Sequence, residues 1–374
     1  MMTIKKSITV LLLISMIFTL TSCWNYKEVN QLNIVVGAAI DKGESNNYML
    51  TVELIHVKGN ADVNVSSEVM SIEGDTLLDA VRRFNSITGK RAYWAHIRVV
   101  IVCEDIASED LSRVLGFFVE DAETRSDVFI VISRECKAKD ILNADLFMEN
   151  VVAETINRSL KNSKVLSEFQ QASTFSVSKE LKTNKKSVTI PTISLLPMDD
   201  KKATFINGTA IFKDNKLTAF IDGSETKTML FLKNDIESGV IVTKYNDRNI
   251  TLEILDNTTR IKTRIDNDVM TVNVLVDTQA AINEVERDID FSDIDIIKDI
   301  EKLSEIQLVE SMEGVIDKAK HYGTDIFGFT QKLYENHPKK FRQIENLGEV
   351  EFRNINVDIS VKVRILNSGE VSKL

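Results

Sequence analysis

The stretch "IRVVIVCEDIASEDLSRVLGFFVEDAETRSDVFIVIS", residues 97–133, decides the fold of the first half of the chain. It begins and ends with apolar runs typical of buried strands, at 97–103 and 128–133. Between the runs, four apolar residues recur at the spacing of one helix face, namely Leu111, Val114, Leu115 and Phe118. Strand, helix and strand in this order predict a βαβ unit.

The residues before this unit predict a hairpin and a second helix. The apolar run 33–40 and the alternating run 48–57 flank a polar turn, which indicates two antiparallel strands. In "GDTLLDAVRRFNSITGK", Asp75 or Thr76 is the expected N-cap and Gly89 the expected C-cap. The face expected to be buried consists of Leu77, Leu78, Val81 and Phe84.

A domain boundary is predicted in "IPTISLLPMDDKKAT", residues 190–204, which holds two of the three prolines, Pro191 and Pro197. The residues before it, 144–183, are mostly helical in pattern and end in an exposed basic loop at 182–187. The expected parts are a signal peptide at 1–22, an N-terminal α/β domain at 23–198, and a C-terminal α+β domain at 205–374 that is open to subdivision near 283–291.

The second half mixes strands and helices. It predicts a hairpin turning at Asp214 and Asn215, a short helix in "SETKTMLFLK", four strand-like runs between Val240 and Ile282, and a long alternating strand at the end. The overall prediction is an α+β fold of several domains, with mixed sheets and packed helices, after an N-terminal lipoprotein signal peptide.

The predicted helix 292–320 has an apolar stripe that drifts around its axis. One face carries Ile296, Ile300 and Leu303, and a second face carries Leu308, Met312, Val315 and Ala319. At about 100° per residue the two faces differ by roughly a third of a turn. The helix therefore either bends near Ile306 or is covered on both faces.

The N-terminus has the pattern of a lipoprotein export signal. Lys5 and Lys6 precede an apolar run at 8–20, which is too short for the roughly 20 residues of a membrane span. Leu20, Thr21 and Ser22 then precede Cys23, as in a bacterial lipobox, so Cys23 is the expected lipidated first residue. The alternatives are an ordinary secretory signal with a chance cysteine, or an uncleaved anchor.

Composition is that of an exported globular protein, with 43% hydrophobic and 27% charged residues. Cleavage before Cys23 would remove Lys5 and Lys6 and take the formal net charge from -10 to -12. An acidic body is repelled by nucleic acid and by anionic lipid headgroups. We therefore expect no nucleic-acid partner, and membrane attachment through acyl chains.

Residue types that carry chemistry are scattered. Cys103 and Cys136 lie at the ends of strand-like runs and are either buried free thiols or a disulfide. The acidic run 288–296 lacks the glycine and glutamate of a calcium loop, and the chain has no nucleotide-binding or nucleophile-elbow motif. No pair at ligand spacing occurs among His56, His96, His321 and His337. We expect no catalytic residue, metal or cofactor.

The mature start "CWNYKEVNQLNIVVGAAIDK" resembles that of the C subunits of spore-germinant receptors, the Ger(x)C lipoproteins of endospore-forming bacteria. Four later stretches agree in the same order: "HIRVVIVCEDIA", "GTAIFKDNKLTAFIDGSET", "GTDIFGFTQKLYENHPKKF" and "NVDISVKVRI". The resemblance implies a non-enzymatic subunit that joins two membrane-embedded receptor subunits on the outer face of the spore inner membrane. It implies no direct binding of the nutrient.

Candidate partner-binding residues come from the stretches that resemble the family. They are Trp24, Glu28, Glu225, Asp325 and Phe329, of which the last three are expected on exposed loops. Trp24 and Tyr26 either sit at the lipid headgroups or pack against the first domain. The second function considered is a free-standing solute-binding lipoprotein, which would need a ligand cleft between two α/β lobes.

Two further positions keep two interpretations each. The glycines of "GTDIFGF", Gly323 and Gly328, suit a tight turn that either presents or buries Phe327 and Phe329. Arg98, in an otherwise apolar run, lies at an edge position or forms half of an internal ion pair.

Overall fold

The computed structural model contains two sheets and the helices packed on them. The expected signal peptide, Cys23, Trp24 and Tyr26 lie outside the described residues, as do most of the basic loop and part of the acidic run. The structure describes residues 28–58, 64–121, 123–144, 150–182, 187–199, 201–267, 269–285, 289, 291, 293–346 and 352–367.

The larger sheet has the order β3-β2-β1-β5-β6-β7-β8-β9, with the short β4 paired to the start of β1, and the smaller sheet has the order β10-β11-β12-β13. The strands are β1 Leu32–Lys42, β2 Tyr48–Lys58, β3 Asn64–Gly74, β4 Arg91–Tyr93, β5 Val99–Cys103, β6 Phe129–Ser133, β7 Val188–Met198, β8 Lys201–Lys213, β9 Lys216–Ile221, β10 Val240–Tyr245, β11 Arg248–Asp266, β12 Val269–Val285 and β13 Asn356–Asn367.

The helices alternate with these strands, and short 3-10 turns lie at Val29–Gln31, Trp94–His96 and Phe352–Asn354. The α-helices are α1 Leu77–Thr88, α2 Glu104–Glu120, α3 Ala138–Leu142, α4 Val152–Lys161, α5 Ser163–Leu166, α6 Thr174–Leu181, α7 Gly223–Lys233, α8 Ile294–Tyr322, α9 Phe329–Asn336 and α10 Pro338–Asn346. The predicted α+β class is confirmed.

The centre of the larger sheet is the predicted βαβ unit. β5 and β6 pair in parallel, and β5 also pairs in parallel with β1, so all three strands start at the same edge. The predicted hairpin is β1 and β2. β3 was not predicted, because its serines and glutamates hide the strand pattern; it pairs along the whole of β2 as an edge strand, where polar residues are usual.

Both predicted helices before and inside the unit are present. Thr76 caps α1, its Oγ1 accepting the Asp79 N–H at 3.1 Å, and Gly89 ends the helix with φ of 66°. Leu78 is 50% exposed, so its place on the predicted buried face is wrong; the buried face runs through Leu77, Ala80, Val81 and Phe84, about 100° away. All four apolar residues predicted for α2 are buried.

The region of the predicted boundary around the two prolines consists of paired strands. β7 and β8 flank the turn at Asp199, so the larger sheet continues across the predicted boundary to β9. Pro191 fits inside β7 because the pairing shifts between Pro191 and Ile193. The two hydrophobic cores meet at β8, where Phe212 belongs to the first and Ile211 to the second. The domain limits stay a prediction.

Between Val240 and Val285 the smaller sheet has three strands where the sequence suggests four runs, and its fourth strand is β13. β11 continues for 19 residues, since a register shift between Ile254 and Asp256 absorbs the polar step that looks like a break. The predicted hairpin turn is confirmed by positive φ at both Asp214 and Asn215.

The drifting stripe of α8 follows from packing on two strands. The helix is continuous, and Glu301 and Glu305 accept N–H groups of β13 from one side while the Gln307 amide donates to the Val242 carbonyl of β10 from the other. α8 therefore spans both edges of the smaller sheet along one buried stripe that drifts through Ser304, so the helix neither bends near Ile306 nor has two covered faces. Leu303 is exposed, and Ser304 takes the predicted buried position; its hydroxyl lies 2.7 Å from that of Thr243.

Candidate docking site

Buried carboxylates fasten two helices to the larger sheet. Glu53 of β2 is 0% exposed and accepts the backbone N–H groups of Val152 and Ala153, the first residues of α4, at 2.8 Å each. A carboxylate here satisfies two donors that a helix start leaves unpaired. Burial nevertheless raises the pKa of Glu53 above its usual value, against these hydrogen bonds.

The "GAAIDK" part of the mature start has a structural explanation. Asp41 accepts the N–H groups of Ala138 and Lys139 at 2.8 Å, which fixes the start of α3, and Lys42 pairs with Glu109 at 2.6 Å. A Cβ at Gly37 would lie 2.7 Å from the Cβ of Ala153, so α4 can approach only because this residue is glycine. The stretch is explained by packing of α3 and α4.

Glu225 is an internal connector. It belongs to the capping box of α7, where Asp222 Oδ1 accepts the Glu225 N–H and Glu225 Oε2 accepts the Asp222 N–H. Both carboxylate oxygens also lie 2.8 Å from Lys318 Nζ on α8. Glu225 is half-buried, so its expected exposure is wrong: the side chain is turned to Lys318.

Asp325 and Phe329 are also internal, and their expected exposure is wrong. Asp325 Oδ1 accepts the N–H groups of Phe327, Gly328 and Phe329, and Oδ2 accepts that of Thr330, so this carboxylate caps α9. Phe329 is 0% exposed and stacks on Phe327 with ring centroids 5.1 Å apart. The turn thus buries its aromatic pair. Side chains in this position hold the second core rather than offering a surface.

Glu28 is the one candidate that the described residues leave exposed. Its carboxylate accepts the Asn30 side-chain N–H at 3.1 Å, and its carbonyl accepts the Gln31 N–H. It lies four residues before β1, apart from Glu225, Asp325 and Phe329 in the second half. The structure therefore does not gather the sequence candidates into one site.

The cysteines and Arg98 have environments that explain them without a catalytic role. Cys103 and Cys136 are free thiols, and burial raises the pKa of Cys103 to about 11, so this thiol is protonated and unreactive at neutral pH. Arg98 faces Glu154 at 3.6 Å, the ion-pair alternative. Within the described ranges, no group of three or more His, Cys, Asp or Glu side chains is arranged to hold a metal ion.

An exposed apolar surface lies on the extension of β7 and β8. β6 pairs with β7 only at Thr192 and Ile193 among the described residues, so residues 194–198 and 201–205 form a two-stranded ribbon beyond it. Alternation puts Leu196, Met198 and, diagonally opposite, Phe205 on one face of this ribbon, where they are 40%, 50% and 40% exposed. We call these three residues the ribbon face.

The sequence carries no local signal for the ribbon face. Residues 195–198 are all apolar and residues 201–206 do not alternate between polar and apolar types, so neither run indicates which side chains share a face. A contiguous exposed group of large apolar side chains, rimmed by Asp199 and Lys201, is the usual mark of a protein contact.

Comparison with known proteins decides the family. A family model described as "Spore germination protein N-terminal domain" matches residues 25–195, and one described as "Spore germination B3/ GerAC like, C-terminal" matches residues 207–369. The chain belongs to the GerAC-like spore germination proteins. The resemblance seen in the sequence is thereby confirmed.

Relatives and a solved structure agree over nearly the full length. Spore germination protein KC of Bacillus subtilis (strain 168) is 22% identical over 98% of this chain and 97% of its own length. Spore germination protein B3 of the same organism is 24% identical over 96% and 97%. The crystal structure of the GerBC protein, at 22% identity, covers 88% of this chain and 97% of its own with a TM-score of 0.61, which shows a shared fold.

Membership in the family assigns the chain to spore germination, among relatives that are subunits of germinant receptors. Across the residues that have described positions, none of the helices combines the length and the apolar composition of a membrane span.

Proposed function

We propose that this protein is a lipid-anchored, non-enzymatic subunit of a nutrient germinant receptor, and that it acts by docking to membrane-embedded partner subunits on the outer face of the spore inner membrane. The observation that carries the docking role is the ribbon face: three large apolar side chains are exposed on one side of a two-stranded extension. Family membership supports the receptor role.

The ribbon suits docking because it is both exposed and firmly based. Its strands continue into the buried parts of β7 and β8, where Ile190, Ile193 and Phe212 are fully buried. An apolar anchor on a rigid base loses little conformational entropy on binding. A few well-packed side chains near the centre of an interface also contribute most of the binding energy.

The docking proposal is tested by changing the ribbon face in spores. We expect Met198→Ser combined with Phe205→Ser to remove the membrane-embedded partner subunits that co-purify with the tagged protein. Leu78→Ser is the matched control, because Leu78 on α1 is as exposed as Met198 but lies elsewhere. Equal recovery of partners from the double variant and the control would show that the ribbon face is not the docking surface.

The lipid anchor is tested separately at Cys23. With an overall charge of -10, the body is repelled by anionic lipid, so we expect Cys23→Ala to abolish processing or retention in the membrane fraction. Fractionation of spore membranes measures this. A Cys23→Ala protein that is cleaved and still retained would show that protein contacts suffice to hold it.

A further inference from the structure

A polar cleft lies where α4 passes the starts of β5 and β6. Its volume is about 420 Å³, within the range of small-molecule sites. Its polar lining comes from four separate segments of the first half and includes Arg98, Ser126, Asp127, Asn157, Lys161 and Gln171. No linear motif joins these segments, so the cleft cannot be recognised from the sequence.

The charge of the cleft is positive although the chain is acidic. Arg98 and Lys161 line it with a single carboxylate, that of Asp127. Both oxygens of Asp127 accept hydrogen bonds from Arg125, at 2.8 Å each, in the two-pronged geometry that suits a guanidinium and a carboxylate. The Asp127 charge is therefore matched by Arg125. The neighbouring carboxylate of Glu154 is shared by Arg98 at 3.6 Å and Arg158 at 3.4 Å, so with Lys161 four cations face two carboxylates and the region keeps a positive charge.

Hydrogen-bond donors in the cleft have capacity for a ligand. The ion pair of Arg98 with Glu154 has an N–O distance of 3.6 Å, which is too long for a hydrogen bond, so the guanidinium keeps N–H groups for a ligand. Lys161 forms no ion pair with any residue that has a described position, although it lies at the end of α4. The amides of Asn157 and Gln171 already donate to protein acceptors, the first to Glu154 at 3.4 Å and the second to the Leu160 carbonyl at 3.1 Å. Arg98 and Lys161 are therefore the charged donors of the cleft with capacity for an anion.

We infer that this cleft binds a small hydrophilic anion through a carboxylate or phosphate group placed between Arg98 and Lys161. A volume of about 420 Å³ equals that of roughly fourteen water molecules, which suits a small organic acid or a headgroup. The same anionic group can come from a dissolved solute or from a phospholipid. The inference goes beyond the docking role and does not depend on it.

The first arm of the test uses dissolved anions with the full-length chain in a neutral detergent. The unfolding temperature is followed as inorganic phosphate or citrate is titrated at constant ionic strength, set with sodium chloride. We expect a rise that saturates, because a ligand that binds only the folded state stabilises it. For Lys161→Gln, we expect the half-saturating concentration to increase roughly fivefold or more.

The control variant is Lys179→Gln, which removes one exposed lysine from α6 outside the cleft. It should respond to the anions as the unchanged chain does. Without added anion, all three proteins should unfold at the same temperature, because both lysines are exposed, and this separates lost binding from lost folding.

The second arm places the same proteins in nanodiscs of phosphatidylcholine, with and without an equal share of phosphatidylglycerol. A response to dissolved anion that Lys161→Gln weakens supports the inference with a free solute. A response to phosphatidylglycerol alone that Lys161→Gln weakens supports it with a lipid headgroup. Equal responses of Lys161→Gln and Lys179→Gln in both arms, or no response in either, would overturn it.

Discussion

The carboxylate of Glu53 accepts the backbone N–H of Ala153 at 2.8 Å, which ties the second strand to a helix start one hundred residues later. Glu53→Gln replaces one acceptor oxygen with a donor amide that faces another donor. We expect a loss of about 2 kcal/mol or more in the free energy of unfolding. Denaturant titration measures it, with Glu68→Gln on the exposed edge strand β3 as control. Equal effects of the two changes would contradict the capping role.

The same carboxylate predicts a pH dependence. Burial raises the pKa of Glu53 from its model-compound value of 4.5, so the folded state holds the proton more tightly than the unfolded chain does. Its contribution is therefore fully present below about pH 4.5 and is lost as pH rises through the folded pKa. We expect the stability difference between the unchanged chain and Glu53→Gln to be larger at low pH than at neutral pH. A difference that grows with pH would have the wrong sign.

Gly37 offers a second test of how α4 is seated. Gly37→Ala would place a methyl group 2.7 Å from the Ala153 Cβ and 3.2 Å from a Leu142 methyl. We expect a loss of about 1–3 kcal/mol in stability from overpacking. In Gly116→Ala the new methyl group meets no atom within 4 Å, and the change should be neutral or stabilise α2 by up to about 1 kcal/mol. Thermal melts compare the stability of the two variants. Equal melting temperatures would contradict the close approach of α4 to Gly37.

Phe329 tests the corrected interpretation of the "GTDIFGF" turn. Because Phe329 is fully buried against Phe327 and Phe352, Phe329→Ala should cost about 3–5 kcal/mol of stability. Phe175→Ala, at an exposed position on α6, should change stability by less than about 0.5 kcal/mol. Denaturation midpoints compare them. A stable Phe329→Ala protein would return Phe329 to the surface.

The spacing of apolar residues predicted those helices and strands in which buried side chains recur at a regular interval. The faces of α2 and the caps of α1 follow from neighbours three or four residues apart, so the sequence alone locates them. The pattern failed at Leu78 and Leu303, where the tertiary contact lies one position away on the helix. Periodicity locates a face only to within about one residue, or 100°.

The candidate sites were less predictable, because their environment is set by distant segments. From the sequence, Asp325 is predicted to be an exposed loop residue, but in the structure its carboxylate accepts an N–H group at the start of α9. Phe329 is predicted to be exposed as well, but Phe352 packs against it. Glu53 lies among apolar residues in the predicted strand 48–57, and a carboxylate in that position indicates a buried side chain that needs hydrogen-bond donors. The ribbon face needed the register of β7 against β8, which no local pattern contains.

Strand β8 contributes residues to the ribbon face and to both hydrophobic cores. One end carries Phe205 on the ribbon face, and near the other end two consecutive residues, Ile211 and Phe212, point into different hydrophobic cores. A force applied at the ribbon would therefore act along one stiff beam anchored in both halves. A partner bound to the ribbon would therefore transmit force through β8 to both hydrophobic cores, so that a displacement of one half of the protein also strains the other half.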